Sequence, residues 1–536
     1  MKRFGTVCTA VSMTLSSWLM SPGDAFAQAE TRFTDGQRIG YLGEASRSAM
    51  ASDVMSRLQD TTTAREVDSS TDRVAMWHEI LLDSVALDHT PDPDTGAVDF
   101  VQGGPTRTSR ALAMVQIAVF DAVNAFERRF EPYLGDAIRA GAEGASIDAA
   151  IAYAAYGVLR ELYPDQRVRL DSLLASDLSQ LDADTAAVAA GRRVGSEAAI
   201  VMLGARDGDN STDFEPNFGE GGRVADGTAT ADGTPVNSGA SAALDWAPDP
   251  LTPDVSADFE LALGAYWGGV TPFALDRGDQ FRVPPPPAPG SEEYIDGFRA
   301  TSELGASPDT AGSTSTPSMR FTGNFWGYDA TPLLGVPPRL YNQIAIEVAI
   351  ERGITEVDEL ARYLAMVNTA LADAGVAAWD SKYFYDYARP VTAIRGDDGV
   401  ADTGADAAWK PVGVSVINTV EPITPTPPFP AYPSGHATFG AALFETLRGF
   451  FGVDVAFTFV SEEYDGEGVD PQGTPRPLVP VRFTSFQQAQ ELNAVSRIYN
   501  GVHWPWDDRE GQRLGVEIAR YVRDGVAFRR VEPSGR

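Results

Sequence analysis

The chain has 536 residues, 43% of them hydrophobic and 22% charged, which is a globular composition with enough length for more than one hydrophobic core. Its formal net charge of −33 excludes a general affinity for nucleic acid or anionic lipid, because both need a basic face. The single cysteine, Cys8, excludes a disulfide framework and any cysteine-ligated zinc, haem or iron–sulfur centre.

At the start of the chain, Lys2 and Arg3 precede a mildly apolar stretch from Phe4 to Met20, and Ala25-Phe26-Ala27 has the small residues of a cleavage site. Residues 1–27 are therefore expected to be an export signal that sends the protein to a secreted or periplasmic location. No later stretch reads as long and apolar enough to span a bilayer, so no membrane span is expected. Helical apolar spacing recurs over 111–126, 150–163, 185–204, 341–351, 357–379, 436–450 and 511–524, with few strand signals between. The expected fold class is all-α.

The chain also repeats itself. Arg110–Ala122 and Arg362–Ala374 share eight of thirteen residues, and Gly191–Ala199 is echoed in the same order by Gly511–Ala519. Two matches in order indicate internal duplication and hence two related helical bundles with long covering loops. The expected division is an N-terminal bundle over 28–260, a connecting loop excursion over 261–325, and a C-terminal bundle over 326–536. In the first half, His78 and His89 have no matching cluster and read as structural. Asp207-Gly208-Asp209-Asn210 is open to two readings, a calcium site or an acidic turn.

The second half gathers the chemistry. Lys382 and Arg389 are seven residues apart, two helical turns, and Pro390 is expected to end their helix. Two cations on one face are favourable where an anion lies between them. Pro433-Ser434-Gly435-His436 precedes an apolar helical segment, so Gly435 allows close backbone approach, helix-start amides face a ligand, and Ser434 adds a hydroxyl. In Ser496–Asp507, Asn500-Gly501 turns His503 back toward Arg497, and Asp507 is placed to take the imidazole Nδ1 proton and leave Nε2 free. Each segment alone has an ordinary reading as a basic face, an N-cap or a histidine–carboxylate pair. Together they describe a pocket for a tetrahedral oxyanion.

Lys382-x6-Arg389-Pro390, then Pro433-Ser434-Gly435-His436, then Ser496-Arg497-x5-His503-x3-Asp507 resembles the signature of the phosphatidic-acid-phosphatase type 2 superfamily. That superfamily joins acid phosphatases, lipid phosphatases and vanadium-dependent haloperoxidases. Pro428–Gly440 is similar to the chloroperoxidase type of haloperoxidase, as are the aromatic positions Trp379 and Phe429. Tyr328-Asp329 and Gly335–Asn342 are similar too. The resemblance implies vanadate as cofactor, with His503 as its metal ligand oriented by Asp507. Its oxygens would face Lys382, Arg389, Arg497, Ser434 and the Gly435 amide. His436 would be the acid–base residue, Lys382 would polarise bound peroxide, Asp329 would pair with Arg497, and Trp379 and Phe429 would line the halide pocket. The implied partners are hydrogen peroxide, bromide or iodide (chloride as a further candidate) and a small organic halogen acceptor. Oligomeric state is left open. The alternative within the superfamily is a secreted acid phosphatase in which His503 forms a phosphohistidine in the same pocket.

Overall fold

The computed structural model describes residues 62–90, 100–138, 142–213, 244–251, 262–418, 426–452, 455–470, 473–525 and 527–531. The expected export signal and Cys8 lie outside these. Five helices open the described chain: α1 (Ser70–Asp88), α2 (Gly104–Glu127), α3 (Ile147–Leu162), α4 (Arg167–Ser179) and α5 (Thr185–Ala205). After them come α6 (Glu292–Leu304) and α7 (Pro317–Phe325). The second set is α8 (Pro337–Glu351), α9 (Val357–Tyr385), α10 (Pro390–Arg395), α11 (Gly435–Phe451), α12 (Phe486–Tyr499) and α13 (Pro505–Asp524). Between α11 and α12, β1 (Phe457–Phe459) and β2 (Val481–Phe483) form a short antiparallel pair with Phe457 opposite Phe483.

The duplication is visible in how the helices touch. In the first bundle α3 packs on α5 and both pack on α2; in the second α11 packs on α13 and both pack on α9. The same small residues make each crossing close. A Cβ on Gly195 would lie 2.2 Å from the Ala150 carbonyl, and one on Gly515 would lie 2.2 Å from the Thr438 carbonyl. Both α3 and α11 start on a serine N-cap, Ser146 accepting from the Ala149 amide and Ser434 from the Ala437 amide. Each bundle also buries an aspartate in its long helix as an acceptor for backbone amides. Asp121 takes those of Tyr133 and Leu134; Asp373 takes those of Phe273, Ala274 and Leu275.

The bundles join along α2 and α9. By length and apolarity alone α2 could cross a membrane, which corrects the expectation that no such stretch exists. It is nonetheless a core helix, with 83% of its apolar window buried against its neighbours. The excursion is also more structured than expected, since it contains α6 and α7. Ser291 caps α6, Glu292 and Glu293 fill its positive first turn, and Tyr294 and Phe298 form its buried stripe. The long Gly- and Pro-rich flanks obscured that signal. Residues 262–283 run along α9: Trp379 Nε1 and the Tyr383 hydroxyl donate to the Leu263 carbonyl at 3.0 and 2.9 Å, and Arg282 pairs with Asp380 at 2.8 Å.

The glycine crossings yield a paired expectation. Gly515→Ala places a methyl against backbone and should lower stability by about 1–3 kcal/mol. Gly204→Ala, on the exposed end of α5 with open space around its added Cβ, should raise it by about 0.5–1 kcal/mol. Thermal midpoints moving in the same direction would refute the close-packed crossing.

Candidate active site

All the residues singled out in the second half converge at one end of the second bundle. The route is not the one the spacing predicts for Lys382 and Arg389. Helix α9 stops at Tyr385, Asp386 takes a left-handed φ of 48°, and Pro390 starts α10 with Arg389 as its N-cap. Lys382 therefore projects from the last turn of one helix and Arg389 from the turn before the next. Pro390 is a helix opener, the position where a missing N–H costs nothing. The third segment breaks as expected. Helix α12 ends at Tyr499, Gly501 takes φ +69° hard against the Gly305 backbone, and α13 resumes at Pro505. His503 precedes α13, and Asp507 in its first turn accepts from both His503 Nδ1 at 2.9 Å and the Trp504 amide at 3.0 Å.

The three cations are fully buried. Lys382 Nζ donates to the carbonyls of Pro430 and Ala431 at 2.8 and 3.0 Å and lies over the rings of Trp379 and Phe429. Arg389 donates Nε to the Phe429 carbonyl at 2.9 Å and Nη1 to the Val502 carbonyl at 2.8 Å. Its Nη1 also points at His503 Nε2, 3.0 Å away. Arg497 is gripped by Asp329, Nη2 to Oδ1 at 2.7 Å and Nη1 to Oδ2 at 3.3 Å. Arg389 Nη2 and Arg497 Nε have no hydrogen-bond partner among the described residues. Buried, charged and unsatisfied donors are costly, and a tetrahedral oxyanion is the partner that suits two guanidinium edges and an ammonium.

Both histidines have defined tautomers. Asp507 and the Arg389 donor together leave His503 with its proton on Nδ1 and its lone pair on Nε2. His436 Nε2 sits 3.1 and 2.9 Å from the carbonyls of Trp326 and Gly327, so Nε2 carries the proton and Nδ1 is the basic atom. Burial, then the neighbouring charge of Arg497, pushes His436 down to about 3. Burial and the charges of Arg389 and Lys382 push His503 far below its usual range, and burial with Arg389 does the same to Lys382. Arg389 is lowered to about 9, chiefly by burial. Burial works to raise Asp329, but Arg497, His436 and the Ser415 amide together outweigh it and hold this carboxyl below its ordinary value. Asp507 is raised to about 7 by burial, against the Trp504 amide, Lys382 and Arg389.

Ser434 caps α11, and its own amide donates to the Asp507 carbonyl at 2.9 Å, which ties the second motif to the third. Gly435 packs closely on the wall: a Cβ there would come within 3.3 Å of the Trp379 ring. Trp379 and Phe429 contact each other with ring centroids 4.8 Å apart and form one apolar wall beside Lys382.

Several contributors lay outside the motifs. The carbonyls of Trp326 and Gly327 that set His436 are backbone groups and leave no residue signature. Tyr341 and Asn493 both donate to the His436 carbonyl, at 3.0 and 2.9 Å, and Glu463 braces the 326–329 loop. Elsewhere, His78 and His89 are buried with hydrogen-bond partners of their own, as the structural reading expects, and His78 Nε2 meets the Asn342 carbonyl of α8 at 3.3 Å. Gln116 donates to His78 Nδ1 at 2.9 Å, and the Gly104 amide donates to His89 Nε2 at 3.2 Å. Of the two readings of Asp207–Asn210, the acidic turn fits. The Asp209 carboxylate is paired with Arg110 and Arg206 at 2.8 and 2.7 Å, surroundings that repel calcium.

Residues 362–529 match the family described as VCPO second helical-bundle domain. The vanadium chloroperoxidase of Curvularia inaequalis is 33% identical over 279 residues, and the match spans 45% of this chain and 45% of that relative, just under half the length of each. A crystal structure described as that of the first bacterial vanadium-dependent iodoperoxidase aligns with TM-score 0.63 at 22% identity, over 86% of this chain and 98% of that one. An apo bacterial vanadium-dependent chloroperoxidase aligns with TM-score 0.54 at 17% identity, over 80% and 95%.

The depressed basic groups carry a testable consequence. Burial and mutual repulsion lower the pKa of these basic groups in the ligand-free protein, and a bound anion offsets that, so oxyanion binding should take up protons at the pH where they titrate. Sulfate, which does not titrate there, is the probe, and calorimetry in buffers of different ionisation enthalpy gives the proton count. Uptake is expected in the wild type and should fall in Lys382→Met; proton release would contradict the pocket's electrostatics.

Proposed function

We propose that this chain, whose residues 362–529 match the VCPO second helical-bundle domain family, is a vanadate-dependent haloperoxidase that oxidises halide with hydrogen peroxide to hypohalous acid. The observation that carries the reading is the His503 Nε2 lone pair, held by Asp507 behind it, facing three buried cations with two unpartnered guanidinium nitrogens. Vanadate has the shape of phosphate and one open coordination position for an imidazole nitrogen, so the residues present fit it.

Bound there, vanadate supplies an electrophilic centre at which peroxide is activated for attack by halide. Arg389, Arg497, Lys382, Ser434 and the first amides of α11 neutralise and orient its oxygens. Arg389 Nη1, now on the His503 lone pair, is the group that must give way to the metal. His436 Nδ1 receives the proton that incoming peroxide loses, and the Trp326 and Gly327 carbonyls keep Nε2 out of that exchange. Trp379 and Phe429 keep water from the Lys382 side, and low dielectric there strengthens the pull of the ammonium on an activated oxygen. Bromide and iodide are the proposed substrates, with chloride added at acidic pH and a small organic molecule as halogen acceptor. A secreted or periplasmic location, inferred from residues 1–27, belongs to the same proposal.

His503→Ala should abolish vanadate binding in equilibrium dialysis, whereas His436→Ala should retain it and lose turnover by about 10²–10⁴-fold. Activity is read as peroxide-dependent halogenation of a dimedone-type acceptor after reconstitution with orthovanadate. Fast phosphomonoester hydrolysis that vanadate merely inhibits would establish the phosphatase alternative instead.

The aromatic wall gives a second test. Phe429→His should depress chloride turnover more than bromide turnover, because a polar, hydrated wall weakens the field that the harder oxidation needs. An unchanged ratio of the two specificity constants would remove Phe429 from halide selection.

A further inference from the structure

Glu463 lies in none of the three motif segments, yet it is fully buried directly behind the active site. It sits on a short 3₁₀ turn, Glu462–Tyr464, between β1 and β2. Its Oε1 accepts from the Tyr328 amide at 3.1 Å, and its Oε2 accepts from the Ser415 hydroxyl at 2.8 Å and from Arg476. Ser415 in turn donates its amide to Asp329 Oδ2 at 2.9 Å. One carboxylate therefore ties down the 326–329 loop at two points, directly at the Tyr328 amide and through Ser415 at Asp329. At one, Trp326 and Gly327 present their carbonyls to His436; at the other, Asp329 holds Arg497.

The loop needs such a grip. Tyr328 adopts φ +49° and Ala330 φ +60°, left-handed backbone that a residue with a Cβ keeps only when its surroundings enforce it. Gly327 is pressed so closely on this support that a Cβ would lie 2.7 Å from Glu463 Oε1 and 2.6 Å from Ser415 Cβ. The same 3₁₀ turn adds two more ties, the Ser461 hydroxyl to the Phe325 carbonyl at 2.7 Å and the Glu462 amide to the Tyr328 hydroxyl at 2.9 Å. No other carboxylate bonds the 328 amide among the described residues. A buried acid is expensive to keep, and burial raises Glu463 to about 7 even beside Arg476.

We propose that Glu463 is a positioning residue for His436: by fixing the 326–329 loop it holds the Trp326 and Gly327 carbonyls on His436 Nε2, which confines the proton to that nitrogen and leaves Nδ1 as the base. The inference rests on His436 acting as the proton acceptor of the proposed reaction, but its geometry can be read without any turnover. Without the carboxylate, the loop relaxes from its left-handed backbone, the two carbonyls leave the ring, and the neutral imidazole is no longer confined to one tautomer.

The test is the ring-nitrogen spectrum of ¹⁵N-histidine-labelled, ligand-free protein, which is tractable because the chain has four histidines. His436 is assigned by its loss in His436→Gln. Wild type is expected to show the Nε2–H tautomer at His436 and the Nδ1–H tautomer at His503. Glu463→Ala should convert His436 to a mixture while His503 stays unchanged. Glu463→Gln, which keeps an oxygen for the Tyr328 amide, should restore the wild-type signal. If Glu463→Ala does not fold, Glu463→Asp, with its oxygens drawn back by one methylene, should show the same shift in smaller measure. In vanadate-loaded protein, Glu463→Ala should lower kcat by about 10- to 100-fold while vanadate affinity changes by less than about threefold. A folded Ala or Asp variant with the wild-type His436 tautomer overturns the proposal. So does parallel loss of the His436 and His503 signatures, which would mark Glu463 as a general support. A wild-type protein without haloperoxidase activity would defeat the functional reading and leave the tautomer result standing.

Discussion

Three cations buried side by side, Lys382, Arg389 and Arg497, are the constraint around which the second bundle is organised. Lys382, Arg389 and Arg497 repel one another in a low-dielectric pocket, and two carbonyls for the ammonium do not cancel its charge. Such a cluster persists only if packing forces it and a ligand rewards it. The forcing is visible in the Trp379–Phe429 wall, the Ser434–Asp507 tie between motifs and the Asp329 clamp on Arg497. The depressed basicity of His503 and His436 follows first from burial and then from the same charge excess. A neutral His503 is what a metal ligand must be, and a neutral His436 is what a proton acceptor must be.

The first bundle shows what the architecture does without that constraint. Ser146 caps α3 as Ser434 caps α11, and two residues on, Asp148 stands where His436 stands in the second copy. Asp148 pairs with Arg73 at 2.8 Å, and Arg73 also pairs with the buried Asp177 at 2.9 Å. The corner neutralises itself and offers nothing to an anion. The glycine crossings and the amide-binding aspartates remain, so the duplicated features are those of packing, whereas charge separates the two copies. The first bundle packs its long helix α2 on α9, the helix that carries Lys382.

Much of this was legible in the sequence, for identifiable reasons. Helical periodicity and the repeated Gly-x3-Gly spacing report packing that depends on local pattern, so the two bundles could be read directly. The site residues were legible because charged and histidine side chains carry their chemistry in their identity. The path between them was less so: Lys382 and Arg389 converge through a left-handed turn at Asp386, which a seven-residue spacing disguises as one helix face. Helix α6 was hidden by its Gly- and Pro-rich flanks. Backbone carbonyls such as those of Trp326 and Gly327 have no sequence signature at all, and Glu463 among many surface acids looks like any other carboxylate. What remained illegible was therefore contact made by main chain or across long sequence separation.

Whether this cationic pocket seats vanadate on His503 Nε2 decides the proposed function. Vanadium K-edge absorption on protein loaded with stoichiometric vanadate tests it most directly. The wild type should show an oxygen shell with a single imidazole nitrogen and its characteristic multiple scattering, both absent from His503→Ala. An all-oxygen shell in the wild type, indistinguishable from that of His503→Ala, would contradict the claim.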